Sequence, residues 1–303
     1  MSATFNPSPD VPSEVENAAQ SGELVVFVGA GISRLINCPS WDVFADRVLQ
    51  QLVPAGIDYH DLAQIRTIAD PKKRLSIAKI VAQKKKMTID YVSIFRVALE
   101  ADNVYTYLNS FNSSFVTTNY EKYLSPESRK ADPEQEWRFY RREQLLRVNL
   151  DRNGNVVHIH GCVDEPDSMV ITTRDYLDHY KSKEVQDFLR YLFEKKTILF
   201  LGYGLDEIDV LEYILRGGGA GMRREQRTRR YMLQGFFNAE MGLYDLLHDY
   251  YLESFATELI GFPKDYKSYG HQVEVLAAWA KKLRFARMAL ADEVTAMEEE
   301  IRG

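Results

Sequence analysis

The feature that most constrains this chain is Leu24-Val25-Val26-Phe27-Val28-Gly29-Ala30-Gly31-Ile32-Ser33. Five apolar residues in succession, mostly β-branched or aromatic, read as a strand buried on both faces. Gly-Ala-Gly at its exit permits a tight turn that brings backbone N–H groups close to a ligand. A helix starting there points its positive end at the same place. Such a turn suits a dinucleotide diphosphate, and it equally suits a plain strand exit, so the rest of the chain must decide.

A second stretch repeats the pattern: Thr197-Ile198-Leu199-Phe200-Leu201 runs into Gly202-Tyr203-Gly204-Leu205-Asp206. Two more strand signals end in polar residues. Ser114-Phe115-Val116-Thr117-Thr118 leads to Asn119-Tyr120-Glu121, and Asn155-Val156-Val157-His158-Ile159-His160 leads to Gly161-Cys162. Period-two alternation places His158 and His160 on one side, with His160 nearer the strand end. Open α/β sheets bind ligands beyond the carboxyl ends of their strands. Buried strands spaced by helical stretches predict an α/β fold with a doubly wound parallel sheet. Trp41, between a loop and the helical pattern of Phe44, Val48 and Leu49, is either a core anchor or a ligand contact.

Composition excludes several classes. The 303 residues are 45% apolar, enough for a sizeable core, and the net charge of -6 argues against general nucleic-acid binding. Two cysteines, Cys38 and Cys162, cannot build a disulfide framework or a four-cysteine zinc site. No apolar run is long enough for a membrane span, and the polar start lacks a signal peptide, so a cytoplasmic protein is expected.

Residues 1–12 carry Pro7, Pro9 and Pro12 and read as a flexible arm, followed by a capping box from Ser13 to Glu16 and a short helix that Gly22 ends. Helical insertions are expected at about 58–110 and 122–195, the 122–150 stretch being hard to assign. The basic clusters Pro71-Lys72-Lys73-Arg74 and Lys84-Lys85-Lys86 read as solvated helix faces. Arg216–Arg230, with four glycines and six arginines, reads as a mobile loop. Strands at Tyr231–Leu233 and Ala256–Ile260 flank a helix from Glu240 to Leu252, and His271–Leu283 forms another helix. Near the C-terminus, Leu283, Leu290, Val294, Met297 and Ile301 fall on one narrow helical seam, so a helix at about 274–302, with 286–303 as a C-terminal helix, is expected to join chains or dock a partner, or else to fold back on its own domain.

Gly29-Ala30-Gly31-Ile32-Ser33, Thr117-Thr118-Asn119-Tyr120, His158-Ile159-His160-Gly161 and Gly202-Tyr203-Gly204, in that order, resemble the sirtuin fold. The version with Thr-Thr-Asn-Tyr and Phe-Leu-Gly-Tyr-Gly is similar to bacterial sirtuin-like domains that hydrolyse NAD in anti-phage defence. The resemblance covers about residues 13–285 and implies a Rossmann-like, sirtuin-type domain. It implies that Gly29, Ala30, Gly31 and Ser33 cradle the diphosphate, and that Asn119 and His160 are catalytic. Gly202, Tyr203 and Gly204 would line the adenosine side. Thr118 would belong to the same cofactor site, and Trp41 would stand over the nicotinamide pocket. Two departures stand out. Glu121 replaces the usual aspartate, and the 41 residues between His160 and Gly202 hold one cysteine instead of a four-cysteine zinc module.

The expected activity is that of an NAD glycohydrolase, giving nicotinamide and ADP-ribose without a metal. An NAD-dependent protein-lysine deacylase and a non-catalytic NAD or ADP-ribose sensor are the alternatives. A defence effector that empties the NAD pool must be silent until needed, so control by homo-oligomerisation or by a neighbouring-gene partner is expected. A translocase-type ATPase and an Argonaute-like protein are the partner types in view.

Overall fold

The structure is a computed structural model that describes residues 4–129, 136–203 and 230–284. Helix α1 (Ser13–Ser21) leads into β1 (Leu24–Val28). Then come α2 (Ala30–Arg34), α3 (Trp41–Gln51), α4 (Tyr59–Arg66), α5 (Pro71–Lys84), α6 (Tyr91–Phe95) and α7 (Val104–Asn109). Strands β2 (Ser114–Thr117), β3 (Arg138–Phe139) and β4 (Val156–His158) precede α8 (Thr173–Lys181), α9 (Lys183–Lys195) and β5 (Thr197–Leu201). Strand β6 (Arg230–Phe236), helix α10 (Met241–Phe255), strand β7 (Thr257–Pro263) and helix α11 (His271–Leu283) complete the described chain.

The strands form one seven-stranded sheet in the order β3-β4-β2-β1-β5-β6-β7. Every pairing is parallel. From β1 the chain winds outward through β2 to one side, then through β5, β6 and β7 to the other. The direction therefore switches between β1 and β5, where doubly wound sheets open a crevice. Alternate residues of each strand feed opposite faces. Leu24, Val26 and Val28 pack with α1, α7 and α11, while Val25 and Phe27 pack with α9 and Phe255. A third cluster from α3, α5 and α6 caps the strand ends, with Tyr120, Cys162 and Ile171 in it.

Three sequence expectations need correction. Ser13 does not cap α1: Pro12 holds that position without a side-chain bond, and the Ser13 hydroxyl donates to Glu14. The 122–195 interval is not an insertion beside the sheet, because β3 and β4 lie inside it and extend the sheet past β2. The third concerns the histidines. Strand β4 ends at His158, so period-two alternation does not carry through to His160. Ala256 stands outside β7 because it closes α10 in the left-handed conformation at φ 48°. The apolar seam beyond Leu283 and the Arg216–Arg229 loop lie outside the described residues.

Candidate active site

Strand register assembles the site. Val28 pairs with Thr117 and Leu201, and Thr117 pairs with His158. The next residues on these strands therefore emerge at one level along the sheet edge. Gly29 and Gly202 meet there, backbone against backbone. Gly29 N donates to Leu201 O and Gly31 N to Gly202 O, each at 2.8 Å. A Cβ on Gly31 would lie 2.6 Å from Gly202 O, and one on Gly202, whose φ is +75°, would lie 2.5 Å from Ile32 N. The two glycine exits thus lock β1 to β5. The Gly29 and Gly31 amides are already engaged, whereas Ala30 N–H, first in α2, has no intrahelical acceptor. The ring of Tyr203 occupies the place a Gly29 side chain would take, and its hydroxyl lies 3.2 Å from Thr118 Oγ1.

Asn119 follows β2 and is buried. Its backbone is pinned twice, by N–H donating to Thr117 Oγ1 at 3.0 Å and by its carbonyl at 2.9 Å from His158 Nδ1. His158 is fully buried, and desolvation lowers its pKa to about 4. The neutral ring therefore carries its proton on Nδ1 and donates to that carbonyl. Asn119 Nδ2 donates to Gly29 O at 3.1 Å and Ser33 Oγ at 2.7 Å. That leaves Oδ1 as the atom of this amide suited to accept from a substrate hydroxyl or a water. Ser33 Oγ in turn donates to Glu121 Oε1 at 2.5 Å, and Tyr105 OH donates to the same oxygen at 2.7 Å. Burial raises the Glu121 carboxyl above its ordinary range.

His160 lies just past β4, under an aromatic cover from α8. Its Nε2 is 2.7 Å from Tyr180 OH, and the rings of Tyr176 and His179 stand 5.1 and 5.7 Å away. Its Nδ1 is buried with no hydrogen-bond partner among the described residues. Burial, reinforced by His179 and Lys72, holds its pKa well below the usual value. The ring is neutral near pH 7, so one of its two nitrogens carries a lone pair that can accept.

Two connected spaces lie over these groups. A narrow pocket is walled by Ser33, Trp41, Thr118, Asn119, His160 and Tyr203. A cleft of about 880 Å³ opens beside it over Gly31, Gly202, Gln234 and Lys264. Ala30, Trp41 and Tyr203 belong to both. The cleft is within the usual size of a small-molecule site, roughly 300–1,000 Å³. Trp41 packs near Tyr120 and Phe44 and lines both spaces. Gly204 lies outside the described residues. Among those residues no group of three or more His, Cys, Asp or Glu side chains is placed to hold a metal ion.

Sequence reasoning missed Tyr105, Tyr176, His179 and Tyr180. A signal for the last three was present. Thr172 and Asp175 form a capping box that opens α8, and Tyr176 and Tyr180 are one turn apart on that helix. Tyr105 carried no such mark, because α7 meets Ser33 only through the tertiary fold.

Residues 113–254 match the family model of the SIR2-like domain. The chain is 28% identical over 228 residues to the NAD(+) hydrolase ThsA of Bacillus cereus (strain MSX-D12), covering 72% of this chain and 43% of that protein. It is 23% identical over 217 residues to Defense-associated sirtuin 2 of Bacillus subtilis, covering 65% of this chain and 19% of that protein. The chain thus spans less than half the length of either relative. With its all-parallel, doubly wound sheet this chain has a sirtuin-type Rossmann-like fold, and residues 113–254 are similar to the SIR2-like domain.

Proposed function

We propose that this domain hydrolyses the N-glycosidic bond of NAD, releasing nicotinamide and ADP-ribose. One observation carries the reading: Asn119 and His160 converge on a narrow pocket that opens into a dinucleotide-sized cleft at the switch point. Cleavage passes through an oxocarbenium-like state at the ribose, which needs an oriented sugar, a placed water and a proton acceptor. Neutral His160 supplies the acceptor. Asn119 Oδ1 holds a ribose hydroxyl or the water without adding charge. The adenosine half lies along Gly202 and Tyr203, with the diphosphate near Ala30 and Ser33.

The relatives' names, one an NAD(+) hydrolase and one a defence-associated sirtuin, support a role in anti-phage defence. In that role the domain works in the cytoplasm as an oligomer, silent until a neighbouring-gene product or assembly switches it on. No described helix is long and apolar enough to cross a membrane. The apolar seam after Leu283 supports assembly, and truncation after Arg284 tests it by light scattering and NAD turnover.

The activity test is incubation of purified protein with NAD, with and without an acetyl-lysine peptide, followed by product chromatography. Nicotinamide and ADP-ribose without peptide are expected. Release only with peptide identifies a deacylase, and binding without turnover identifies a sensor.

A further inference from the structure

A buried polar chain in the wall of the narrow pocket ends on the Asn119 amide. Tyr105 on α7, Ser33 on α2 and Glu121 beyond β2 are all buried, and both hydroxyls donate to Glu121 Oε1. The Ser33 proton thus points at Glu121 Oε1, which turns a Ser33 lone pair toward Asn119 Nδ2, 2.7 Å away. Were that proton aimed at Asn119 instead, it would oppose Nδ2, whose other hydrogen goes to Gly29 O. The orientation of the amide thus has two supports, the Gly29 carbonyl and the Ser33 lone pair that Glu121 sets.

We propose that Glu121, supported by Tyr105, is a positioning residue that fixes the Asn119 amide through Ser33. This rests on the NAD-hydrolase reading for its kinetic consequence, but not for its structural one. Glu121 lines the narrow pocket and receives bonds from Ser33 and Tyr105 on Oε1.

The test compares Glu121→Met, which removes the acceptor at similar length, with Glu121→Gln, which keeps Oε1 as an acceptor, and with Tyr105→Phe. Loss of hydrogen bonds to a buried charged group predicts that Glu121→Met lowers kcat by about tenfold or more. KM and inhibition by added nicotinamide should stay within about threefold of the parent, since uniform substrate binding is untouched. Glu121→Gln should recover most of the loss, and Tyr105→Phe should fall between. In parallel, the Asn119 side-chain amide signal, assigned by its disappearance in Asn119→Ala, should shift or broaden in Glu121→Met and return in Glu121→Gln.

Unchanged kcat with an unmoved amide signal overturns the proposal. So does a Glu121→Met defect confined to KM or nicotinamide inhibition, which would make Glu121 a substrate contact. If Glu121→Met does not fold, Tyr105→Phe and Glu121→Gln decide by the same readouts. If the parent protein cleaves no NAD, the hydrolase reading fails while the amide signal still judges the network.

Discussion

His158 and His160 are separated by one residue and do different work. His158 faces the backbone of Asn119, whereas His160 faces the pocket. Asn119→Ala and His160→Ala should each lower NAD turnover by at least about a hundredfold, the scale for losing a placed polar or acid–base group. Circular dichroism should show both folded, since each follows a strand end. If His158→Ala abolishes turnover while His160→Ala spares it, the assignment between the two is wrong. Burial of these rings also governs stability. Desolvation lowers His158 and His179 to about 4 and holds His160 well below its ordinary value, so all three lie below that of an unfolded chain. Between about pH 6.5 and 4 the unfolded state therefore binds more protons, so stability falls as pH falls, each histidine contributing on the order of a few kcal/mol. Glu121, raised by burial, pulls the other way below its raised value, one group against three. Urea midpoints across this range should show the loss, and His158→Asn should flatten it. The two histidines and Asn119 were legible because they stand at strand ends in the sequence itself. The proton on His158 Nδ1 was not, since only the fold brings the Asn119 carbonyl to it.

Strand exits explain why glycine recurs in this site. Gly31 and Gly202 serve contact between two chain segments before they serve any ligand, because the two turns approach closer than a side chain allows. Gly31→Ala should lower stability by about 1–3 kcal/mol through overpacking against the Gly202 backbone. Gly202→Ala should cost more, since it adds a left-handed φ of +75° to the clash with Ile32 N. Thermal melts of the two variants rank them. Equal stability with the parent would mean that the exits can separate at little cost. The apolar runs of β1 and β5 announced both exits in the sequence. Strand β3, two residues long, sits below any periodic signal and exists only because β4 offers it an edge. The capping box of α8 was readable, while its aromatic cover over His160 required the fold.

At the scale of the whole molecule, the site joins regions more than 150 residues apart in sequence, with β1, β2, β4 and β5 each delivering one wall. Helices α3 and α5 close the outer side through Trp41 and Lys72, while Gln234 of β6 and Lys264, just past β7, line the far end of the cleft. A ligand filling both spaces would bridge the two halves of the sheet across the switch point. It binds the folded state alone, because no single segment carries more than part of the site. On the proposed function, ADP-ribose would span the diphosphate and adenosine parts without being cleaved, so it separates binding from catalysis. At a hundred times its dissociation constant it should stabilise the fold by about 2.7 kcal/mol. In a domain of this size that raises the melting temperature by roughly 5–10 °C. Nicotinamide alone, confined to the narrow pocket, should raise it less. His160→Ala should keep the ADP-ribose shift while losing turnover, whereas Gly31→Ala, which spreads the two exits, should lose much of it. Scanning calorimetry of the three proteins with each ligand measures this. An ADP-ribose shift no larger than the nicotinamide shift would separate the cleft from the pocket and remove the dinucleotide assignment.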